Sequence, residues 1–165
     1  TAVHVETSTG AATDIAALAA LTRTRPDTQL LVDAVSSVGG MPVRMDEWGA
    51  DVVISASQKA LALPPGISFA ACSARAMARA ETLADRGMYL DLALYDEAWR
   101  RGETLGTPAV SVLYALDAQL DAIALEGLDA RFARHAAMRD LVVRWVKNNR
   151  VILSEVPKGR SDESG

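Results

Sequence analysis

One lysine stands out by its place in the chain. Lys59 lies in Ser57-Gln58-Lys59-Ala60-Leu61, just after the β-branched run Val52-Val53-Ile54 and just before Pro64-Pro65-Gly66. The run predicts a buried strand, and the Pro-Pro-Gly predicts a turn. The amine therefore sits on a loop beyond a strand's carboxyl end, where open α/β sheets place their ligands. A primary amine forms a Schiff base with an aldehyde. A guanidinium, the group on most of the other basic residues here, does not. Two more clusters follow apolar runs in the same way: Glu6-Thr7-Ser8-Thr9-Gly10 and Asp33-Ala34-Val35-Ser36-Ser37. In a mostly parallel sheet these strand ends share one edge, so hydroxyls, an aspartate and a lysine meet in a cleft.

That inventory suits pyridoxal phosphate. The cofactor needs a lysine for its aldehyde, an acid to keep its ring nitrogen protonated, and hydroxyls or amides for its phosphate and 3'-oxygen. Val35, two residues after Asp33 and so on the same side of an extended chain, is placed to press on the ring face. Each residue alone also has a plainer use. Asp33 and the Thr7–Thr9 stretch suit ordinary turns. Gln58 suits solvent, and Thr107-Pro108 suits a helix N-terminus. His4 and His135 lack acidic or cysteine neighbours at ligand spacing, so no metal is assigned. No nucleophile elbow, dinucleotide fingerprint or Walker loop is present.

The elements that must position these groups follow from pattern. Thr1–Val5 reads as a strand end. Asp14 caps a helix with Ile15, Leu18, Ala19 and Leu21 on one face, broken at Pro26-Asp27. Gln29–Asp33 is a short buried strand, Ala34–Gly40 a small-residue loop, Asp46–Gly49 a helical turn and Asp51–Ile54 a strand. Ile67–Cys72 is another strand, and Ser73 caps a helix reaching about Asp85. Leu90–Arg101 is helical, carrying Leu94 and Trp99, and Gly102–Pro108 is a loop. Val110, Leu113, Leu116 and Leu120 define an amphipathic helix over 109–126, with Gly127 as its C-cap. A second runs over 128–148 with Leu141, Val142 and Trp145 inward. This order predicts an α/β protein. Residues 1–126 form part of one domain. Residues 127–165 form a connecting helix and the start of a smaller domain, opening on the strand-like run at Arg150–Leu153.

The chain has 165 residues and a net charge of −4, enough for about one domain with a real core. Its scattered basic residues argue against a nucleic-acid partner. No apolar run is long enough to span a bilayer. The single cysteine, Cys72, reads as a small core residue and fits a reducing, cytoplasmic compartment. The chain begins at Thr1 on an apolar stretch and stops just after a new strand-like run, so it is expected to be an internal piece of a longer protein.

In combination the motifs resemble the class V pyridoxal-phosphate aminotransferases, particularly the alanine–glyoxylate and serine–glyoxylate group. The matching stretches are His4-Val5-Glu6-Thr7-Ser8-Thr9-Gly10, Asp33-Ala34-Val35-Ser36-Ser37, Met45-Asp46-Glu47-Trp48-Gly49-Ala50-Asp51, Ser57-Gln58-Lys59-Ala60-Leu61, Pro64-Pro65-Gly66 and Thr107-Pro108. They follow the family's order, with the lysine 26 positions after the aspartate. The resemblance implies fold type I, this chain covering the carboxyl-terminal part of the large domain and the helices leading to the small one. It implies that Lys59 holds pyridoxal phosphate as a Schiff base and shuttles the substrate proton. Asp33 would pair with the ring nitrogen, Val35 pack on the ring, Thr7 serve the 3'-oxygen side and Gln58 the phosphate. Thr107 would reach the phosphate of a neighbouring subunit, implying a homodimer with shared sites. Small amino acids (serine or alanine) and glyoxylate or pyruvate are the implied substrates. Other class V enzymes, such as a 2-aminoethylphosphonate transaminase or a cysteine desulfurase, stay open, as does a truncated, inactive chain. The desulfurase is disfavoured because Cys72 falls in a strand rather than a mobile loop. The phosphate loop and the substrate-carboxylate arginine are expected outside this chain, as is any peroxisomal signal used by some relatives.

Overall fold

The computed structural model describes residues 1–149. The strand expected at Arg150–Leu153, and with it Lys158, lies outside them. A four-stranded sheet runs in the order β1 (Ala2–Val3), β2 (Leu31–Asp33), β3 (Val52–Ala56), β4 (Ser68–Cys72). β1, β2 and β3 are parallel, with Val3 opposite Asp33 and Asp33 opposite Ile54. β4 returns antiparallel to β3, pairing Val52 with Cys72 and Ala56 with Ser68. The sheet is thus mostly parallel, as the pattern predicts.

Alternation decides which face is buried. Ala2, Val32 and Val53 share one face by register. They pack against Ile15 and Ala19 of α1 (Ile15–Arg23) and against Leu30, Ala34 and Ala50. Asp14 caps α1 by accepting the Ala17 amide at 3.0 Å, which fills one of the donors a helix start leaves open. Leu21 is exposed instead of facing this core. Val3, Asp33 and Ile54 lie on the opposite face.

α2 (Met45–Trp48) is one turn, closed by Gly49 in the left-handed region and by Arg23, whose guanidinium donates to the carbonyls of Glu47 and Trp48. The strand expected over Thr1–Val5 is shorter than its pattern. β1 ends at Val3, and Val5 forms only an isolated bridge to Ala12. α3 spans Ala74–Glu81, four residues short of the expected Asp85. Arg86 stops it, donating to the Leu83 carbonyl at 2.8 Å and to the Ala80 carbonyl at 3.3 Å. α4 spans Leu92–Arg100, capped by Asp91.

α5 (Val110–Glu126) and α6 (Leu128–Asn148) meet at Gly127, whose φ of +80° lets the chain turn between them. Helical periodicity misjudged their faces. Leu141, Val142 and Trp145 are 61 %, 61 % and 59 % exposed, while Arg131 and Val146 are the buried residues of α6. On α5, Ile123 is buried while Val110, Leu113 and Leu120 are exposed, as is Trp99 on α4. The apolar stripes exist but lie largely exposed. Cys72 is half-buried rather than a core residue, and burial pushes its thiol pKa up.

Asp51 ties the amino ends of β2 and β3 to the carboxyl end of β4. Its carboxylate accepts the Leu30 amide at 2.8 Å, Arg75 Nε at 2.8 Å and the Ser73 hydroxyl at 3.2 Å. Burial alone would raise its pKa, but these hydrogen bonds, led by Arg75, hold it below the usual carboxylate range. A depressed folded-state pKa stabilises the fold above the unfolded value, about 3.9, and that contribution fades as pH falls through the folded one. Asp51→Asn is expected to lose about 3 kcal/mol in urea unfolding at pH 7, with the gap to the parent narrowing as pH falls below about 3.9.

Candidate active site

Three parallel strands deliver three loops to one edge. Beyond β1 comes Glu6–Gly10, beyond β2 Asp33–Gly40, and beyond β3 Ser57–Leu61. The loops also bond to one another. Thr7 Oγ1 and Ser36 Oγ are 2.8 Å apart, and His4 Nδ1 and Ser37 Oγ 2.9 Å. Ser37 Oγ also lies 3.2 Å from the Ala34 carbonyl, so this hydroxyl ties His4 to the turn of the second loop. The His4 ring meets Trp48 edge-on with centroids 5.2 Å apart, and burial pushes its pKa down.

The second and third loops touch through glycine. A Cβ on Gly40 would stand 3.0 Å from Ala60 Cβ, and one on Gly39 3.0 Å from Leu61 Cδ2. A side chain at either position would be tightly packed and make its neighbour shift by a few tenths of an ångström, and the φ of +84° at Gly39 favours glycine there. Ser57 is fully buried, and its hydroxyl donates to the Pro64 carbonyl at 2.7 Å. That bond closes the lysine loop onto Pro64-Pro65-Gly66. Within the loop the Ala62 amide donates to the Lys59 carbonyl at 2.8 Å.

Lys59 and Gln58 are exposed at this edge, and Lys59 makes no ion pair among the described residues. Asp33 is half-buried. Its Oδ1 accepts the Val35 amide at 2.9 Å, and Oδ2 has no partner among the described residues. That bond corrects one expectation. The chain turns at Ala34 instead of running extended, with the amides of Ser37 and Val38 both donating to the Ala34 carbonyl at 3.0 Å. Val35 therefore owes its position to an Asx turn on Asp33 and not to strand alternation.

Thr107 is not joined to this edge by any hydrogen bond. It lies exposed on the loop before α5, lining a groove of about 320 Å³ with Tyr89, Tyr95 and Trp99. Two residues that hold these loops are not legible as such in the sequence. His4 falls within a motif, but nothing there marks it as the buried link between two loops. Arg131, which donates to the Gly39 and Ala60 carbonyls, has nothing in sequence to separate it from Arg134. The donor set fits pyridoxal phosphate: a free amine, a carboxylate with one oxygen unused, and hydroxyls on the same edge.

The family model described as Aminotransferase class-V matches residues 1–162. An L-aspartate–glyoxylate aminotransferase of Paracoccus denitrificans is 40% identical over 149 residues, covering 87% of this chain and 38% of that protein. A serine–glyoxylate aminotransferase of Arabidopsis thaliana is 40% identical over 153 residues, covering 89% and 38%. The crystal structure of an alanine–glyoxylate aminotransferase from Nostoc sp. superposes with a TM-score of 0.83 at 35% identity, covering 89% and 40%. The chain belongs to the class V aminotransferases, a family of pyridoxal-phosphate enzymes of fold type I. It spans between 34% and 41% of the length of such relatives.

The His4–Ser37 link carries a test. Ser37→Ala strands a buried ring nitrogen and is expected to lower unfolding free energy by about 1–3 kcal/mol. Burial holds the folded His4 below the unfolded value of about 6.5, so its contribution is complete above that pH and fades as pH falls from there toward the folded value. His4→Gln removes this titration, and its melting temperature is expected to fall less between pH 7 and pH 5 than the parent's.

Proposed function

We propose that the protein is a transaminase that moves an amino group from a small amino acid, serine or alanine, to glyoxylate or pyruvate, using pyridoxal phosphate. The observation that supports this reading is the convergence of the Thr7, Asp33 and Lys59 loops on one sheet edge, with Thr7 bonded to Ser36. The glyoxylate half draws on the relatives' names, which share that acceptor while differing in the donor.

When bound, the cofactor supplies an electron sink for the carbanion left when the substrate's α-proton departs. Lys59 Nζ is the attachment point through a Schiff base. With its amine free, Lys59 would be the base that takes up the substrate's α-proton. Asp33 would keep the ring nitrogen protonated, and the Val35 amide on Oδ1 fixes the carboxylate's direction. Val35 would pack on the ring, Thr7 would serve the 3'-oxygen side and Gln58 the phosphate. Thr107, exposed and away from this edge, serves the partner's phosphate in a homodimer with shared sites. Residues 1–126 belong to the large domain in this reading, and 127–165 lead into the small one. A free cysteine, Cys72, accords with a cytoplasmic setting.

Borohydride reduction of the intact protein with pyridoxal phosphate, followed by peptide mass spectrometry, is expected to label Lys59 alone. Equal labelling of Lys59, Lys147 and Lys158 would sink the reading. Lys59→Ala is expected to abolish transamination, and Asp33→Ala to lower kcat by about 10²-fold or more. Unchanged turnover in either variant overturns that residue's role. Single-turnover absorbance with serine, alanine and aspartate in turn identifies the donor.

A further inference from the structure

The lysine loop is held from a helix far along the chain. Arg131, on the first turns of α6, is 5 % exposed. Its Nη2 donates to the Ala60 carbonyl at 2.6 Å and its Nε to the Gly39 carbonyl at 2.7 Å. Its Nη1 pairs with Glu126 Oε2 at 3.0 Å. Ala60 directly follows Lys59. Gly39 ends the turn that begins at Asp33, on the same two loops that meet through Gly39 and Gly40. One planar guanidinium therefore bridges the loop of the aspartate and the loop of the lysine.

The arrangement is well suited to fixing position. A guanidinium is rigid and presents its donors in a fixed fork, so two carbonyls bound to it cannot shift independently. Its charge is balanced by Glu126, which also takes Arg134 Nε at 2.6 Å and Nη2 at 2.9 Å. Hydrogen bonds from Arg134, and then from Arg131, hold the Glu126 pKa at about 2, so the pair stays charged at any working pH. All three guanidinium nitrogens of Arg131 are committed, and the side chain is buried. It is therefore not a free anion-binding arginine.

We propose that Arg131 is the positioning residue of the lysine loop, setting the place of Lys59 relative to Asp33 through the Ala60 and Gly39 carbonyls. The significance for catalysis rests on the reading of Lys59 as the cofactor lysine; the positioning itself does not.

The test uses the intact protein, first without cofactor. Hydrogen exchange is followed by mass spectrometry in segments 37–41 and 59–63. Arg131→Gln is expected to speed exchange in both segments by about tenfold or more, while segments 31–33 and 52–55 keep the parent's rates. Arg131→Lys keeps a charge beside Glu126 but cannot span two carbonyls. It is expected to melt close to the parent and still show the faster loop exchange, which covers the case in which the glutamine variant fails to fold. Arg134→Gln loosens Glu126 without touching either loop, and is expected to leave both segments unchanged. With pyridoxal phosphate added, Arg131→Lys is expected to slow Lys59 labelling by about tenfold. Unchanged exchange in both loops of a folded Arg131 variant, or equal acceleration in Arg134→Gln, overturns the proposal. Absence of Lys59 labelling in the parent overturns the aminotransferase reading instead, and the exchange result still decides the role of Arg131.

Discussion

Parallel pairing is the constraint on which everything else rests. Strands that run the same way must end at the same edge, and the loops after them must then share the space beyond it. Val3, Asp33 and Ile54 stand in one row across β1, β2 and β3. Asp33 thus sits at the end of its strand, and Lys59 comes a few residues after the row passes Ile54. The pairing needs a buried face to fix its register, because a slip of one residue would exchange the faces. Val32 and Val53 against Ile15 and Ala19 supply that face. The apolar core and the polar edge are two consequences of one register.

Beyond the strands, the edge is assembled from short-range chemistry of three kinds. Neutral hydrogen bonds join the first loop to the second, at Thr7–Ser36 and His4–Ser37. Glycine lets the second loop lie close against the third, since a side chain at Gly39 or Gly40 would crowd Leu61 or Ala60. A buried charge joins both to α6 through Arg131. These contacts differ in kind from the exposed pairs elsewhere, such as Arg44–Glu47 or Arg139–Asp140, which contribute little in solvent. Large apolar side chains remain exposed away from the edge, among them Ile54 on the sheet and Trp99 and Trp145 on the helices. Surfaces of this size are normally covered, in keeping with a chain that spans well under half of its relatives' length.

Local chemistry made much of this legible. Val52–Ile54 reads as a strand because β-branched residues suit a buried pleat, and Asp14 and Ser73 read as caps because their oxygens match open helix amides. Gly127 reads as a helix end because only glycine takes that backbone without strain. The errors share one cause. Periodicity reports that a helix has an apolar stripe but not what lies against it, so Leu141, Val142 and Trp145 were placed inward although Arg131 and Val146 are the buried ones. Alternation was likewise extended past Asp33, where the chain had already turned.

The sequence by itself determined most of the strands, the caps and the three polar clusters that follow the parallel strands, because these depend on residue type and on neighbours a few positions away. Tertiary structure alone decided how the clusters are fixed to one another. The Ser37 hydroxyl meets His4 across 33 positions, and the Arg131 guanidinium meets Gly39 across 92 and Ala60 across 71. A hydrogen bond over such a separation leaves no periodic trace, since it depends on where two chain segments arrive in space and not on the spacing between them.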